Sequence, residues 1–83
     1  MKEIAVEKII EILNENIESV EISQNALNQD LCELGMDSIT FIKIIVALEE
    51  KFECEVPDSK LVINEMNTAN KILKVLKDIE ANT

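Results

Sequence analysis

Apolar residues recur at helical spacing from the beginning of the chain. They fall at the i, i+3, i+4, i+7 positions of one buried face, which comprises Val6, Ile9, Ile10, Leu13 and Ile17. Glutamates occupy the opposite side at Glu3, Glu7, Glu11 and Glu15. The pattern predicts a first helix that ends near residues 14–16, where asparagines tolerate a left-handed cap.

A second helical pattern runs from about Ser38 to Lys51 or Phe52. Asp37 precedes it and is a suitable N-cap, since its carboxylate can accept free N–H groups of the first turn. The predicted core face is a broad arc of Phe41, Ile42, Ile44, Ile45, Leu48 and Phe52. Ile39 and Val46 fall outside this arc among polar residues, so we expect them either to form a docking surface or to pack under a loop.

In two segments the apolar residues show no sustained helical periodicity. Residues 18–36 form a predicted long loop whose scattered leucines pack across the helices, and it ends at Gly35, where the chain must turn sharply. After Pro57, Asp58 and Ser59 are predicted to cap one short helical turn through Leu61, Val62 and Ile63.

Thr68, or Asn67, is then predicted to cap a last helix. Its apolar face comprises Ala69, Ile72, Leu73, Leu76 and Ile79. The expected fold is therefore all-α, a small four-helix bundle of three main helices, one short helix and a long first loop. We expect residues 1–83 to form a single domain.

The amino-acid composition supports a helical fold and excludes several classes of enzyme. Aromatic residues make up 2% of the 83 residues, and the single Gly and single Pro leave few turn formers for a β-sandwich or barrel. The chain has no His, which excludes Ser-His, Cys-His and zinc-His sites within it. The two cysteines, Cys32 and Cys54, lack metal-site spacing, so we expect no metal site and interpret both as reduced, partly buried apolar groups.

The charge narrows the choice of partners. Eight Lys and Arg residues against 17 Asp and Glu residues give a net charge of −9. This balance disfavours nucleic acids and anionic membrane surfaces, both of which attract clustered cations. An acidic surface attracts proteins with basic patches, or it simply keeps a small protein in solution. The sequence shows no signal peptide or long apolar run, so we expect a cytoplasmic monomer.

The most informative segment surrounds Ser38. Its hydroxyl is predicted to lie on the first turn of a helix, after a loop and beside Asp37. With no His as a base, Ser38 is a poor nucleophile, but another enzyme could modify it. A phosphate ester at this position would lie at the positive end of the helix dipole.

The segment Leu34-Gly35-Met36-Asp37-Ser38-Ile39 resembles the L-G-x-D-S-L signature of acyl carrier proteins. The resemblance continues through residues 47–52, through Val56-Pro57-Asp58 and into the last helix, so it covers nearly the whole chain. It implies a carrier fold that catalyses no reaction and bears 4′-phosphopantetheine, derived from coenzyme A, on Ser38. The arm would hold an acyl or aminoacyl group as a thioester. The implied partners are a phosphopantetheinyl transferase and the enzymes that load and elongate the cargo.

Different residues point to different branches of the family. Fatty-acid carriers usually have acidic residues two and five positions after the modified serine, where this chain has Thr40 and Lys43. This difference favours a specialised carrier of the polyketide or nonribosomal-peptide type. Residues 67–72 resemble the corresponding part of D-alanyl carrier proteins, but those usually place one more residue between the glycine and Asp-Ser. Fatty-acid and D-alanyl carriers therefore remain alternatives.

Two further sets of residues are candidates for function. The predicted partner-docking surface comprises Asp37, Ile39, Lys43, Val46, Glu49 and Glu50. The predicted mouth of a pocket for a short acyl chain comprises Leu61, Val62 and Met66. A different class of function is a non-covalent acidic adaptor that docks through Ile39 and Val46, and a helical bundle with a coincidental Asp-Ser pair is a third possibility.

Overall fold

The computed structural model describes residues 4–17 and 21–82. In these ranges the chain forms three α-helices, α1 (Val6–Asn16), α2 (Ser38–Phe52) and α3 (Ala69–Ala81), and no strand. Four short 3₁₀ turns lie between the helices, at Gln24–Ala26, Leu31–Leu34, Asp58–Lys60 and Ile63–Glu65. Helix α1 packs against both α2 and α3, so the predicted all-α fold is confirmed.

Helix α1 buries the face that its sequence pattern predicts, together with Ile12, which the pattern did not include. Ile9, Ile10 and Leu13 are buried, as is Ile17 just beyond the helix, while Val6 is half-buried. The end of the helix differs from the expectation, since the C-cap residue Ile17 has an extended backbone with φ −110° instead of a left-handed one. An asparagine side chain secures this end in another way, because Asn16 Nδ2 donates to the carbonyl of Ile12 (2.8 Å).

Helix α2 has a narrower core face than its sequence pattern predicts. The buried residues are Phe41, Ile44, Ile45, Leu48 and Phe52. Ile42 is 56% exposed, so its assignment to the core is wrong. On a helical projection Ile42 lies about 60° beyond Ile45, which places it outside the arc that contacts the rest of the protein.

The described part of the first loop packs onto the helices as expected. Leu31 and Ile22 are buried, and Leu27 and Leu34 are half-buried. The side chain of Asn14 binds both backbone polar groups of Ile22. Its Nδ2 donates to the carbonyl of Ile22 (2.9 Å), and its Oδ1 accepts from the N–H of Ile22 (2.6 Å). Residues 18–20 of the predicted loop lie outside the described residues.

The predicted short helix is instead two separate 3₁₀ turns. Residues 58–60 and 63–65 each form one turn, and between them Val62 adopts an extended conformation with φ −130° and ψ 131°. Leu61 also leaves the helical region, with ψ 50°. The continuous helical turn is therefore interrupted at the two residues that were expected to lie within it.

Helix α3 begins where predicted, at a threonine cap. Thr68 Oγ1 accepts the backbone N–H of Lys71 (3.1 Å). The helix buries Ala69, Ile72, Val75 and Leu76, and it leaves Leu73 and Ile79 half-buried. These side chains complete one apolar core with α1, α2 and the first loop. Both phenylalanines lie in this core, whereas the first residues of α2 lie at the surface.

Candidate functional site

The attachment of α2 to the preceding loop determines where Ser38 lies. The 3₁₀ turn Leu31–Leu34 ends at Gly35, whose backbone is left-handed with φ 110°. Glycine adopts this conformation without the clash that a Cβ atom causes. The chain then folds back, so that Met36 N–H donates to the Leu31 carbonyl (3.0 Å) and the Met36 side chain is buried. Asp37 and Ser38 follow at the surface.

Asp37 fixes the first turn of α2, as predicted. Its Oδ1 accepts the N–H of Thr40 (2.8 Å), and its carbonyl accepts the N–H of Phe41 (2.8 Å). Hydrogen bonding from Thr40 lowers the pKa of the Asp37 carboxyl below its ordinary value because it stabilises the ionised form. Ser38 is therefore the first residue of the helix, and its side chain is exposed.

An apolar stripe extends along α2 from the residue after Ser38. Its members are Ile39, Ile42 and Val46, which are 69%, 56% and 48% exposed. Their i, i+3, i+7 spacing places them on one side of the helix. Ile39 and Val46 were predicted to lie outside the core arc, whereas Ile42 was assigned to it. The position of Ile42 at the edge of that arc was the available signal.

Charged residues next to the apolar stripe are not equivalent. Lys43 and Glu50 are exposed, as a docking role requires. Glu49 is half-buried, and its Oε2 accepts the N–H of Val56 (2.9 Å). Its carboxylate therefore holds the chain that leaves α2, which gives this predicted docking residue a local structural role.

The three residues predicted to line a pocket mouth lie at different depths. Leu61 and Val62 are 37% and 49% exposed, at the break between the two 3₁₀ turns. Met66 is completely buried, so it belongs to the core and does not lie at a surface opening. A cleft of about 440 Å³ lies between residues 55–60 and the C-terminal half of α3, but none of these three residues lines it.

The remaining serines and the cysteines differ from Ser38 in position. Ser23 Oγ accepts the N–H of Asn25 (3.2 Å), and Ser59 lies within a 3₁₀ turn, whereas Ser19 lies outside the described residues. Both cysteines are free thiols. Cys54 is partly buried as expected, but Cys32 is exposed, which corrects the expectation for that residue.

Two kinds of site are absent from residues 4–17 and 21–82. Nowhere in these ranges do three or more His, Cys, Asp or Glu side chains come together in a way that could hold a metal ion. The helices of the same ranges are all too short or too polar to cross a membrane.

Comparison with known proteins identifies the family. The sequence model described as a phosphopantetheine attachment site matches residues 6–76. The D-alanyl carrier proteins of Streptococcus gordonii and Streptococcus sanguinis are each 33% identical over 73 residues, which cover 87% of this chain and 90% of each relative. An acyl carrier protein of Campylobacter jejuni is 36% identical over 62 residues, covering 71% of this chain and 70% of the relative. No solved structure gives a significant match.

The family-model match runs from the start of α1, through the loop that leads into α2, to Leu76 within α3. The chain therefore belongs to the acyl carrier protein family, a family of non-catalytic carriers with 4′-phosphopantetheine as a covalently attached prosthetic group.

Proposed function

We propose that Ser38 is the residue that carries the phosphopantetheine arm. The observation that supports this assignment is the exposed Ser38 side chain at the first position of a capped helix, directly after the left-handed Gly35 turn. The surrounding residues fit a phosphodiester at this position. The hydroxyl faces solvent, where a transferase can reach it, and the positive end of the α2 dipole stabilises an anionic ester.

The protein itself positions Ser38 for this modification and leaves its side chain accessible. Asp37 remains ionised at neutral pH and accepts Thr40 N–H, so it fixes the residue at which α2 begins. The chain has no His that could act as a base for the Ser38 hydroxyl, so the transferase must supply that base. Once attached, the arm supplies a terminal thiol that holds the cargo as a thioester.

Intact-mass spectrometry tests the assignment directly. The unmodified protein is incubated with coenzyme A and a broad-specificity phosphopantetheinyl transferase. The wild-type chain should gain the mass of one phosphopantetheinyl group, and the Ser38→Ala variant should gain none. Ser59→Ala is the control, since Ser59 is also an exposed serine but lies in the 3₁₀ turn Asp58–Lys60, and this variant should be modified like the wild type. Addition of the arm to Ser38→Ala would refute the assignment.

The proposed cargo is a short acyl or aminoacyl group of a specialised pathway, of the polyketide or nonribosomal-peptide type. The support is the α2 surface, where Thr40 and Lys43 occupy the two positions that are usually acidic in fatty-acid carriers and the apolar stripe is exposed beside them. The second candidate is D-alanyl transfer, favoured by the names of the streptococcal relatives. A fatty-acid role is the third candidate, supported by the acyl carrier relative.

The cargo on the native protein distinguishes these candidates. The modified protein is purified from its own cells at low pH, where thioesters persist, and its intact mass is measured before and after hydroxylamine treatment. A mass loss equal to an alanyl group would favour the D-alanyl role. A long saturated acyl group would favour fatty-acid synthesis and overturn the specialised-pathway proposal.

Docking of partner enzymes is proposed to use the surface around Ser38. A partner must approach this point because the arm begins there. The proposed contacts are Asp37, Ile39, Lys43, Val46 and Glu50, with Ile42 added by the structure, whereas Glu49 contributes mainly through the position of Val56. The proposed partners are a phosphopantetheinyl transferase and the enzymes that load and elongate the cargo, acting on a monomer in the cytoplasm.

The core is proposed to shelter a short acyl chain only if its side chains move. Leu61 and Val62 are exposed at the break between the two 3₁₀ turns, and Met66, which follows them in the sequence, is buried. Methionine is flexible enough to change its rotamer and open space. Chemical shifts of Met66 and Val62 that are identical in the free-thiol and octanoyl forms would instead indicate a cargo in solvent.

A further inference from the structure

The loop before Ser38 is fastened to the beginning of α3 by three hydrogen bonds, which we call the clasp. The backbone N–H of Leu31 donates to the carbonyl of Asn67 (2.7 Å), and the N–H of Asn70 donates to the carbonyl of Leu27 (3.0 Å). Beside them, Asn70 Nδ2 donates to Asn28 Oδ1 (2.7 Å). The two asparagines are 42 positions apart in sequence, so the clasp is a tertiary contact and not part of a local turn.

The clasp connects to Ser38 through Leu31. The N–H of Leu31 is bound by Asn67, while its carbonyl accepts the N–H of Met36. The side chains of Leu31 and Met36 are both buried, at 0% and 4% exposure. Only Asp37 lies between Met36 and Ser38 in the sequence. A displacement of Leu31 would therefore move the peptide that leads into the N-cap of α2.

The α3 side of the clasp is itself held in place by Lys71. Its Nζ donates to Asn67 Oδ1 (2.9 Å) and to the carbonyl of Asn64 (3.0 Å). These bonds fix the turn that presents the Asn67 carbonyl to Leu31. The first loop has no long helix to define its backbone, so its shape depends on such contacts with α3.

We propose that Asn70 is a positioning residue for the modification of Ser38, acting through Asn28 and the loop. This inference rests on the proposed attachment at Ser38. The Asn28–Asn70 pair is exposed, so its loss leaves the apolar core intact and instead loosens the loop. A transferase that recognises one loop conformation binds more weakly when that conformation is only partly populated, because the apparent affinity falls with the competent fraction.

Transferase kinetics on the unmodified protein test this role. We expect Asn70→Ala to raise the transferase KM measurably, by up to about tenfold, which is the limit set by the net effect of one ordinary hydrogen bond on the competent fraction, with little change in kcat. Asn28→Ala should have a similar effect, and the double variant should be no worse than the stronger single variant. Asn28→Asp keeps an acceptor for Asn70 Nδ2 and should retain the wild-type KM.

Asn82→Ala is the matched control. Asn82 is another exposed asparagine of the α3 region whose Nδ2 donates to a carbonyl, that of Asp78 (2.8 Å), but at the far end of the helix. The transferase KM for Asn82→Ala should equal that for the wild type. If Asn70→Ala and Asn28→Ala also have the wild-type KM, the proposal is wrong.

Amide hydrogen exchange separates positioning from general destabilisation. In Asn70→Ala the amides of Leu31 and Met36 should exchange faster, while those of Ile44 and Leu48 in α2 stay unchanged. An equal acceleration at all four amides would mean that Asn70 only stabilises the fold and would overturn the proposal. Failure of the attachment itself is distinguishable, because the wild-type chain would then gain no arm.

Discussion

Within residues 4–17 and 21–82, a left-handed backbone ends the 3₁₀ turn Leu31–Leu34 at Gly35 and helix α2 at Glu53, and only the first of these two residues is a glycine. Gly35 has φ 110° after the 3₁₀ turn, and Glu53 has φ 52° and ψ 51° at the C-cap of α2. In that position Glu53 N–H donates to the Glu49 carbonyl, and Cys54 N–H does so as well (3.1 Å). The conformation closes the helix, but a residue with a Cβ atom adopts it at a cost.

Replacing Glu53 with glycine should therefore stabilise the protein. We expect Glu53→Gly to raise the free energy of unfolding by about 1 kcal/mol, since glycine is at no steric disadvantage at a left-handed cap. Urea denaturation followed by circular dichroism would measure the change. Glu55→Gly is the control, because Glu55 lacks a positive φ and should gain nothing. An equal gain in both variants would point to reduced charge repulsion instead.

The cap at Asp37 should make the beginning of α2 sensitive to acid. Since the pKa of the folded Asp37 carboxyl is lowered, its contribution to stability is complete above the unfolded pKa and disappears as pH falls through the folded pKa. A pH titration of the Asp37 carboxyl carbon and the Thr40 amide by NMR should show one shared transition below the ordinary aspartate range. In Asp37→Asn, which can still cap without a charge, the transition at Thr40 should be absent.

At the scale of the element, α2 has one apolar face in the core and a second at the surface. Ile45 and Ile42 are three positions apart on the same helix, yet Ile45 is 5% exposed and Ile42 is 56% exposed. A helix that served only the core would place polar residues at the outer positions. The apolar stripe therefore has a physical cost in solubility, which is consistent with its use in contacts with other proteins.

The two isoleucines provide a direct comparison. Ile45→Ala should reduce the free energy of unfolding by about 2–4 kcal/mol, because it leaves a cavity in the core. Ile42→Ala should change it by less than about 0.5 kcal/mol, as surface substitutions usually do. Thermal and urea unfolding of both variants would measure the difference. Equal losses would show that Ile42 is buried in solution.

The sequence predicted the helices well because each has a helical period and a recognisable cap. Asp37 and Thr68 mark the beginnings of α2 and α3, and both caps are confirmed. Ile42 was misplaced because its position at the edge of the arc depends on how α2 is rotated against its neighbours, which a single helix does not specify. The prediction of one short helix was wrong because Leu61 and Val62 leave the helical conformation. In a segment of so few residues the intrinsic preference for a helix is weak. The clasp joins residues about forty positions apart, and no local pattern indicates it.

At the scale of the whole molecule, apolar and charged contacts should contribute differently to partner binding. The net charge of −9 acts over distance and mainly affects the association rate. Exposed ion pairs contribute about 0–1 kcal/mol each, whereas full burial of an Ile or Val side chain contributes about 1.5–3 kcal/mol. Ile39→Ala should therefore weaken loading or transfer by the native partner more than Glu50→Ala does.

The measurement is the kcat/KM of the native loading enzyme with each variant, repeated at raised salt. Salt should slow association only mildly, because Lys43 lies among the acidic residues of the proposed docking surface and lowers the local field that salt would screen. Lys43→Glu serves as the charge variant, since it restores an acidic residue five positions after Ser38. If it improved transfer while Ile39→Ala had no effect, the protein would dock by charge, as fatty-acid carriers do.

The two cysteines have a consequence for the chemistry of the loaded protein. Partial desolvation and the negative charge of Asp30 raise the pKa of the Cys32 thiol, and burial and Glu49 raise the pKa of the Cys54 thiol. The thiolate is the nucleophile, so at neutral pH both side chains react slowly with electrophiles. A solvent-exposed arm thiol should thus be alkylated by iodoacetamide before either cysteine, as peptide mass mapping over time would show. Acyl groups would then have little tendency to migrate from the arm to the protein's own sulfur atoms, and the carrier would be protected against acylating itself.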